Sequence, residues 1–334
     1  MFAVAALVLE AGLGAEIEIA VRDRPATCAI VTAAEPTEAV RYAAEELRDH
    51  LARSTGVTLP IVRAGESSAK SAIFIGPGAA DENDTLAAGL GTDGYRIVAK
   101  SPNLHICGSG ERGALYGVYG FLEKFVGCGW YASWHSVVPK RDRVAVPDAL
   151  DLVEKPVFDM REPYWWDLLE HPEFAARLKV NSRSFRKEAA RTPKKMGGEP
   201  FRFGGGLELC HTFEILMPAK EFFAKHPEYF CFVDGKRRGE WEQLCLTNPD
   251  VLRIVTERLL ERIRKEPGAG FFGVSQNDNR SYCQCEKCAA VDAEEGSHAG
   301  TVIRFVNAVA ERVEREFPTV KIETLAYQYS RKPP

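Results

Sequence analysis

The sequence predicts an α/β protein in two parts, a small α/β domain over residues 16–150 and an incomplete (β/α)8 TIM-type barrel over residues 151–334. Three observations predict this. Short apolar runs alternate with stretches of helical periodicity along most of the chain. A charged, Pro-punctuated stretch from Pro139 to Pro156 divides them and reads as an inter-domain linker. Beyond it the rhythm becomes strand-then-helix, the mark of a parallel sheet or barrel. It supplies only about five strand units where a complete barrel takes about 250 residues.

In the first part, Glu16–Val21 and Thr27–Thr32 read as strands. From Thr37 to Ser54, Val40, Ala43, Ala44, Leu47 and Leu51 recur at helical spacing, and Gly56 is a natural stop. Ala72–Ile75 is a short buried strand. Tyr95–Ala99 and Leu104–Cys107 bracket a Ser-Pro-Asn turn as a hairpin. Glu111–Phe125 follows as a helix ended by Gly127-Cys128-Gly129. In the second part the expected strands are Phe158–Glu162, Arg177–Asn181, Gly206–His211, Gly270–Gln276 and Lys321–Tyr327. The expected helices are Val251–Lys265, capped by Asn248 with Pro249 in its first turn, and Thr301–Phe317. The chain stops at Arg331-Lys332-Pro333-Pro334, straight after a strand, so the barrel is expected to be truncated at its C-terminal side.

Composition narrows the function classes. With 334 residues, 45% hydrophobic and 27% charged, the chain is ordinary globular material for about two domains. A net charge of −4 and a pI near 6.1 argue against nucleic acid or an acidic membrane as the main partner. No apolar run approaches the roughly 20 residues of a membrane span. Phe2–Leu9 is apolar and runs into small residues, as a secretory signal would, but it lacks a basic n-region and is interrupted by Glu10. On this weak signal the expected location is periplasmic or extracellular.

Two motifs carry chemistry. Gly108-Ser109-Gly110-Glu111-Arg112-Gly113 matches G-x-G-x-x-G between a strand and a helix. It follows a hairpin rather than opening a βαβ unit, and no acidic residue for a ribose stands about 20 residues on. Tight strand-to-helix packing is the better reading of these glycines. Cys283-x-Cys285-x-x-Cys288 is stronger, because three thiols within six residues can converge on one metal ion. Cys245 is the preferred fourth ligand of a structural zinc, with His226 or Cys231 as alternatives. A disulfide or free thiols are the other readings of the cluster. The six cysteines outside this cluster mostly sit in apolar contexts, where a free cysteine is a small core residue.

Several strings together resemble one family. Ala114-Leu115-Tyr116-Gly117-Val118-Tyr119-Gly120-Phe121-Leu122-Glu123, closing near Gly129-Trp130-Tyr131, resembles the domain that precedes the barrels of α-glucuronidases and β-hexosaminidases. His226-Pro227-Glu228-Tyr229-Phe230, Cys245-Leu246-Thr247-Asn248-Pro249, Ser275-Gln276-Asn277-Asp278-Asn279, Arg304-Phe305-Val306-Asn307 and Leu325-Ala326-Tyr327-Gln328-Tyr329 complete the set. With the cysteine cluster they resemble domain-of-unknown-function family 4838, part of which is classed as glycoside hydrolase family 163. That resemblance implies hydrolysis of N-acetylglucosamine-containing glycans, no catalytic cofactor, and a site at the C-terminal ends of barrel strands.

By the same resemblance, Arg161, Trp165, Asn181, His211 and Asn279 bind substrate, and Asn277 with Asp278 carries catalysis. Asn277 would orient an acetamido group and Asp278 would supply charge or a proton. Related enzymes place an acidic pair where this chain has one carboxylate, so the general acid is expected to be Asp278 or a Glu beyond residue 334. Blander readings stand beside these. Arg161 pairs with Glu162, His211 is a satisfied core histidine, Asp278 caps a turn, and Trp165 and Trp166 are core. The competing functions are a non-catalytic carbohydrate-binding relative and a zinc-stabilised interaction module. Oligomeric state is not encoded in any feature of the sequence.

Overall fold

The computed structural model describes residues 15–182, 192–198, 203–204 and 210–334. Among them, 15–182 with 192–198 form one compact unit, and 203–204 with 210–334 form a second.

The first unit is built on strands β1 (Glu16–Val21) and β2 (Cys28–Thr32), helix α1 (Glu38–Thr55), and strands β3 (Ile61–Arg63) and β4 (Ser71–Ile75). Helix α2 (Asp81–Leu86), the hairpin β5 (Tyr95–Lys100) and β6 (Asn103–Gly108), and helix α3 (Gly110–Phe121) follow. Then come strands β7 (Gly129–Ala132), β8 (His135–Val137), β9 (Arg143–Pro147) and β10 (Asp151–Glu154), and short helices α4 (Trp166–Glu170) and α5 (Pro172–Arg177). Six strands form a mixed sheet in the order β10-β5-β6-β4-β2-β3. The β2, β3, β4 and β6 pairings are parallel, and those of β5 with β6 and β10 are antiparallel.

Helix α1 starts where Thr37 accepts a hydrogen bond from the Val40 amide and ends at Gly56 in the left-handed region. Its Val40, Ala43, Ala44, Leu47 and Leu51 are buried with Ala114, Leu115 and Val118 of α3 and Ile30, Ile73 and Ile106 of the sheet. The glycines after β6 act as spacers. A Cβ on Gly108 would lie 2.0 Å from the Ala114 amide nitrogen, and one on Gly113 would lie 2.6 Å from the Gly94 carbonyl oxygen. Backbone cannot yield as a flexible side chain can. Gly108→Ala is therefore expected to cost about 3 kcal/mol or more of unfolding free energy in urea titration. A loss below about 1 kcal/mol would show that the turn relaxes freely.

The stretch from Pro139 to Pro156 is not a linker. Its Val144 and Val146 are buried on β9, which pairs antiparallel with β1, and β10 extends the six-stranded sheet through β5. Neither expected strand at Phe158–Glu162 nor at Arg177–Asn181 forms. The first joins no ladder, and side chains engage its backbone: Arg161 Nη1 donates to the Phe158 carbonyl, Asn181 Nδ2 to the Asp159 carbonyl, and the Arg161 amide donates to Asn181 Oδ1. The second is the end of α5 followed by a turn in which Lys179 adopts φ 59°.

The second unit contains α6 (Phe213–Leu216), α7 (Ala219–Phe222), the small hairpin β11 (Phe232–Val233) and β12 (Lys236–Arg237), and α8 (Pro249–Lys265). It continues with β13 (Phe271–Gly273), α9 (Glu286–Glu295), α10 (Ala299–Glu314) and β14 (Lys321–Glu323). Strand β13 pairs in parallel with β14, and Phe203 makes a parallel bridge to Phe271. Both strands are shorter than the sequence suggests, because the residues after Gly273 and Glu323 turn into loops. The expected strand Gly206–His211 falls largely on residues 205–209, outside the described residues. Asn248 caps α8 by accepting from the Asp250 amide, and Val251, Val255, Leu259 and Ile263 bury its inner face against Val302, Phe305, Val309 and Val313 of α10. No helix among the described residues is long and apolar enough to cross a membrane.

Candidate active site

Strands β13 and β14 run in the same direction, so their C-terminal ends open onto one edge of the second unit. Side chains alternate across a strand. Phe272, Val274 and Ile322 pack into the helix-facing core, which puts Gly273 and Glu323, paired in register, on the opposite face. Glu323 meets no side chain at Gly273, and its Oε2 is buried without a hydrogen-bond partner among the described residues. Burial alone pushes its carboxyl up to about 8. Desolvation penalises the anion and so favours the protonated form of Glu323.

The segment after β13 forms the rim. Ser275, Gln276 and Asn277 are fully buried, and their polar groups organise the neighbouring loops. Thr212 Oγ1 accepts from the Ser275 amide at 2.8 Å, and Ser330 Oγ donates to Gln276 Oε1 at 2.5 Å. Asn277 Oδ1 accepts from the Glu214 amide at 3.0 Å, while its Nδ2 donates to the Glu242 carbonyl at 2.7 Å. Both ends of the Asn277 amide are thus engaged by backbone. It does not offer the substrate contact expected of it. Asn279 is similarly committed: its Oδ1 accepts from Gln243 Nε2 and the Ser281 amide, and its Nδ2 donates to the Trp241 carbonyl.

Asp278 differs from both neighbours. It is exposed, and its Oδ1 accepts from the Tyr327 hydroxyl at 2.9 Å. The Tyr327 ring lies 5.8 Å from that of His211. His211 sits in the left-handed region and places Nδ1 2.9 Å from the Gln276 carbonyl oxygen. A carbonyl can only accept, so Nδ1 carries a proton in this contact. Tyr327 also lines an open cleft of about 480 Å³ with Arg280, Gln328, Tyr329 and Arg331. Trp241, held by Asn279, is 63% exposed and offers an aromatic face. Glu214 is a second carboxyl raised by burial, against which the backbone amides of Ala219 and Trp241 act, with Oε1 accepting from the Ala219 amide.

Arg161, Trp165 and Asn181 lie in the first unit, and the first and last are consumed there. Arg161 Nη2 donates to Asp93 at 2.6 Å, Nε to the Lys179 carbonyl at 2.9 Å, and Nη1 to the Phe158 carbonyl at 2.8 Å. Asn181 donates to Asp93 Oδ2 at 2.7 Å and to the Asp159 carbonyl at 2.6 Å, and its Oδ1 accepts from the Arg161 amide. Arg112 completes the set with 2.7 Å to Asp93 Oδ1. The expected sugar-binding roles of Arg161 and Asn181 give way to a buried ionic cluster around Asp93, a residue the sequence reading did not single out. Trp165 is 57% exposed, which removes the core reading and leaves its face open. Glu323 was also missed. Its setting, Lys321-Ile322-Glu323, carries no pattern that marks it in the sequence.

The thiols form a separate cluster in the second unit. The Sγ atoms of Cys245, Cys283, Cys285 and Cys288 all lie within 4.8 Å of one another. Hydrogen bonds from Cys283 and Cys288 hold the Cys245 thiol well below its ordinary range. Of the alternative ligands, His226 stacks on Tyr229 and pairs with Glu228, while Cys231 packs in the same buried cluster but points its Sγ at the Arg238 carbonyl and is not among the four that converge.

Residues 130–334 match the family described as a domain of unknown function (DUF4838). The chain belongs to that family. Residues 16–121 match the N-terminus of glycosyl hydrolase family 67. A comparison with curated proteins gives no match. Among solved structures, the chain is similar to a family GH115 4-O-methyl-α-glucuronidase, BtGH115A, with specificity for decorated arabinogalactans. The identity is 12%, the TM-score 0.43, and the likeness covers 92% of this chain and 42% of that one. It is also similar to the Streptomyces plicatus β-hexosaminidase (14% identity, TM-score 0.42, 96% of this chain and 64% of that one). A third is the GH20 β-N-acetylhexosaminidase of Streptomyces coelicolor A3(2), at 13% identity and TM-score 0.40, covering 93% and 64%. The chain thus spans less than two thirds of the length of each.

Proposed function

We propose that this protein is a glycoside hydrolase acting on N-acetylglucosamine-containing glycans, of the kind grouped in glycoside hydrolase family 163, and that Glu323 is its general acid. The observation that carries the reading is a buried carboxyl at the C-terminal end of a parallel strand, its Oε2 without a hydrogen-bond partner among the described residues, in the same unit as the exposed carboxylate of Asp278. Cleavage needs an acid to protonate the leaving oxygen and a group to stabilise the oxocarbenium-like centre. Glu323 gives its proton to the glycosidic oxygen as the C1–O bond breaks. Asp278, oriented by Tyr327, supplies negative charge to the developing cation. Water then bonds to C1 and returns a proton to Glu323. The match of the first unit to a glycosyl hydrolase N-terminal domain supports a carbohydrate substrate.

The parallel relation of Phe203, β13 and β14, with helices between them, supports a second unit built as part of a (β/α)8-type barrel. A glycan substrate suits a periplasmic or extracellular location. The test is hydrolysis of an N-glycan glycopeptide and an aryl β-N-acetylglucosaminide by the purified protein, alongside Asp278→Asn. The variant is expected to lower kcat about 10²-fold. Full activity in Asp278→Asn would remove that residue from the mechanism, and no hydrolysis of either substrate by the parent chain would overturn Glu323 as the acid of a site complete within residues 1–334.

A further inference from the structure

We propose that Cys245, Cys283, Cys285 and Cys288 bind one zinc ion, closed to solvent chemistry, that holds together the loops behind the candidate active site. The argument starts from distances. A tetrahedral ion with zinc–sulfur bonds of about 2.3 Å requires sulfur atoms roughly 3.8 Å apart. Cys245 Sγ lies 3.7 Å from Cys285 Sγ and 3.9 Å from Cys288 Sγ, with all four within 4.8 Å. A disulfide needs about 2.05 Å, and none of the nine cysteines is joined in one.

The surroundings suit thiolates. Four deprotonated thiols around Zn²⁺ carry a net charge of −2, their protons passing to solvent on binding. The Phe232 amide points at Cys283 Sγ at 3.3 Å, and Thr247 Oγ1 lies 3.2 Å from Cys288 Sγ. The Arg237 guanidinium, 4.0 Å from Cys283 Sγ, contributes an offsetting positive charge. These are the outer hydrogen bonds that orient metal ligands and spread their charge.

The site also lies among short elements. Strands β11 and β12 have two residues each. Cys245 lies on the turn into α8, and Cys283, Cys285 and Cys288 bracket the start of α9. One ion would cross-link these pieces and pin the far end of the segment that runs from β13 through Asp278 to Cys283. With four protein ligands no coordination position is left for a substrate, so the role is structural.

The experiment measures metal in the full chain purified without added chelator. About one zinc per chain is expected, with the four thiols unreactive until zinc is extracted. Extraction should lower the thermal midpoint, and added zinc should restore it in a concentration-dependent way. Cobalt substitution should give the thiolate charge-transfer and d–d bands of a tetrahedral sulfur site. Cys285→Ser, at the more exposed ligand, should lower zinc content, whereas Cys107→Ser in the other unit should leave it unchanged. Purified parent protein holding less than about a fifth of an equivalent of zinc would overturn the proposal. Iron in place of zinc, or a mass-mapped disulfide among the four, would overturn it as well.

Discussion

Glu323→Gln is expected to abolish most glycoside hydrolysis and, at the same time, to stabilise the protein at pH 8. The amide keeps the shape and removes the transferable proton, so kcat should fall about 10²–10⁴-fold. Stability should move the other way. The Glu323 carboxyl is raised to about 8 in the folded chain, whereas an exposed glutamate titrates near 4.5. Below about pH 4.5 both states are protonated and the parent has its full stability. Between 4.5 and 8 the unfolded state releases a proton that the folded state retains, so parent stability declines as pH rises through that window. Gln carries no such dependence. Relative to the parent it should gain on the order of 2–4 kcal/mol at pH 8, and little at pH 4. Urea unfolding at the two pH values reads the effect, and the parent's kcat should fall along an alkaline limb near pH 8. A variant that loses activity but shows the same stability difference at both pH values would mean Glu323 is ionised in the folded protein and cannot be the acid.

The second large effect belongs to the first unit. Asp93 is fully buried and accepts from Arg112, Arg161 and Asn181. Asp93→Ala would leave Arg112, itself nearly buried, and Asn181 facing an uncompensated cavity. Removing one partner of a buried ionic cluster typically costs about 3–5 kcal/mol. Asp93→Ala is expected to show a loss of that size in urea unfolding, with Asp93→Asn intermediate because it keeps hydrogen bonding without the charge. A loss below about 1 kcal/mol would mean water replaces the carboxylate and the cluster is not structural. Glycan turnover measured under conditions where the variant remains folded should be unchanged, since the cluster lies outside the residues assigned to chemistry.

The two predictions concern residues that sequence reading treated unequally. Asp278 was legible because it interrupts a run of amides at the end of an expected strand, and its exposure beside Tyr327 keeps it available. Asn277 and Asn279 drew attention by the same placement, yet their amides are spent on the backbone of residues 241, 242 and 214. Arg161 and Asn181 likewise met partners that local pattern could not name, because Asp93 is 68 and 88 residues away from them. Glu323 carried no distinguishing pattern at all. Desolvation is what raises its carboxyl, and desolvation is a property of packing.

Local periodicity by itself determined α1, α8 and α10, since each must bury one apolar stripe, and the hairpin of β5 and β6, since its turn is short. It also determined that three thiols near residues 283–288 would sit together, because six residues of chain cannot separate them far. The tertiary structure alone decided that residues 143–154 join the first unit, where β9 finds β1 across more than a hundred residues. It also decided that Cys245 closes the thiol cluster, and that Asp93 rather than a sugar takes Arg161. Each of these turns on pairing between distant segments. Hydrogen-bond partners and desolvation are set by whichever groups the fold brings near, and spacing along a chain carries that information only over a few turns.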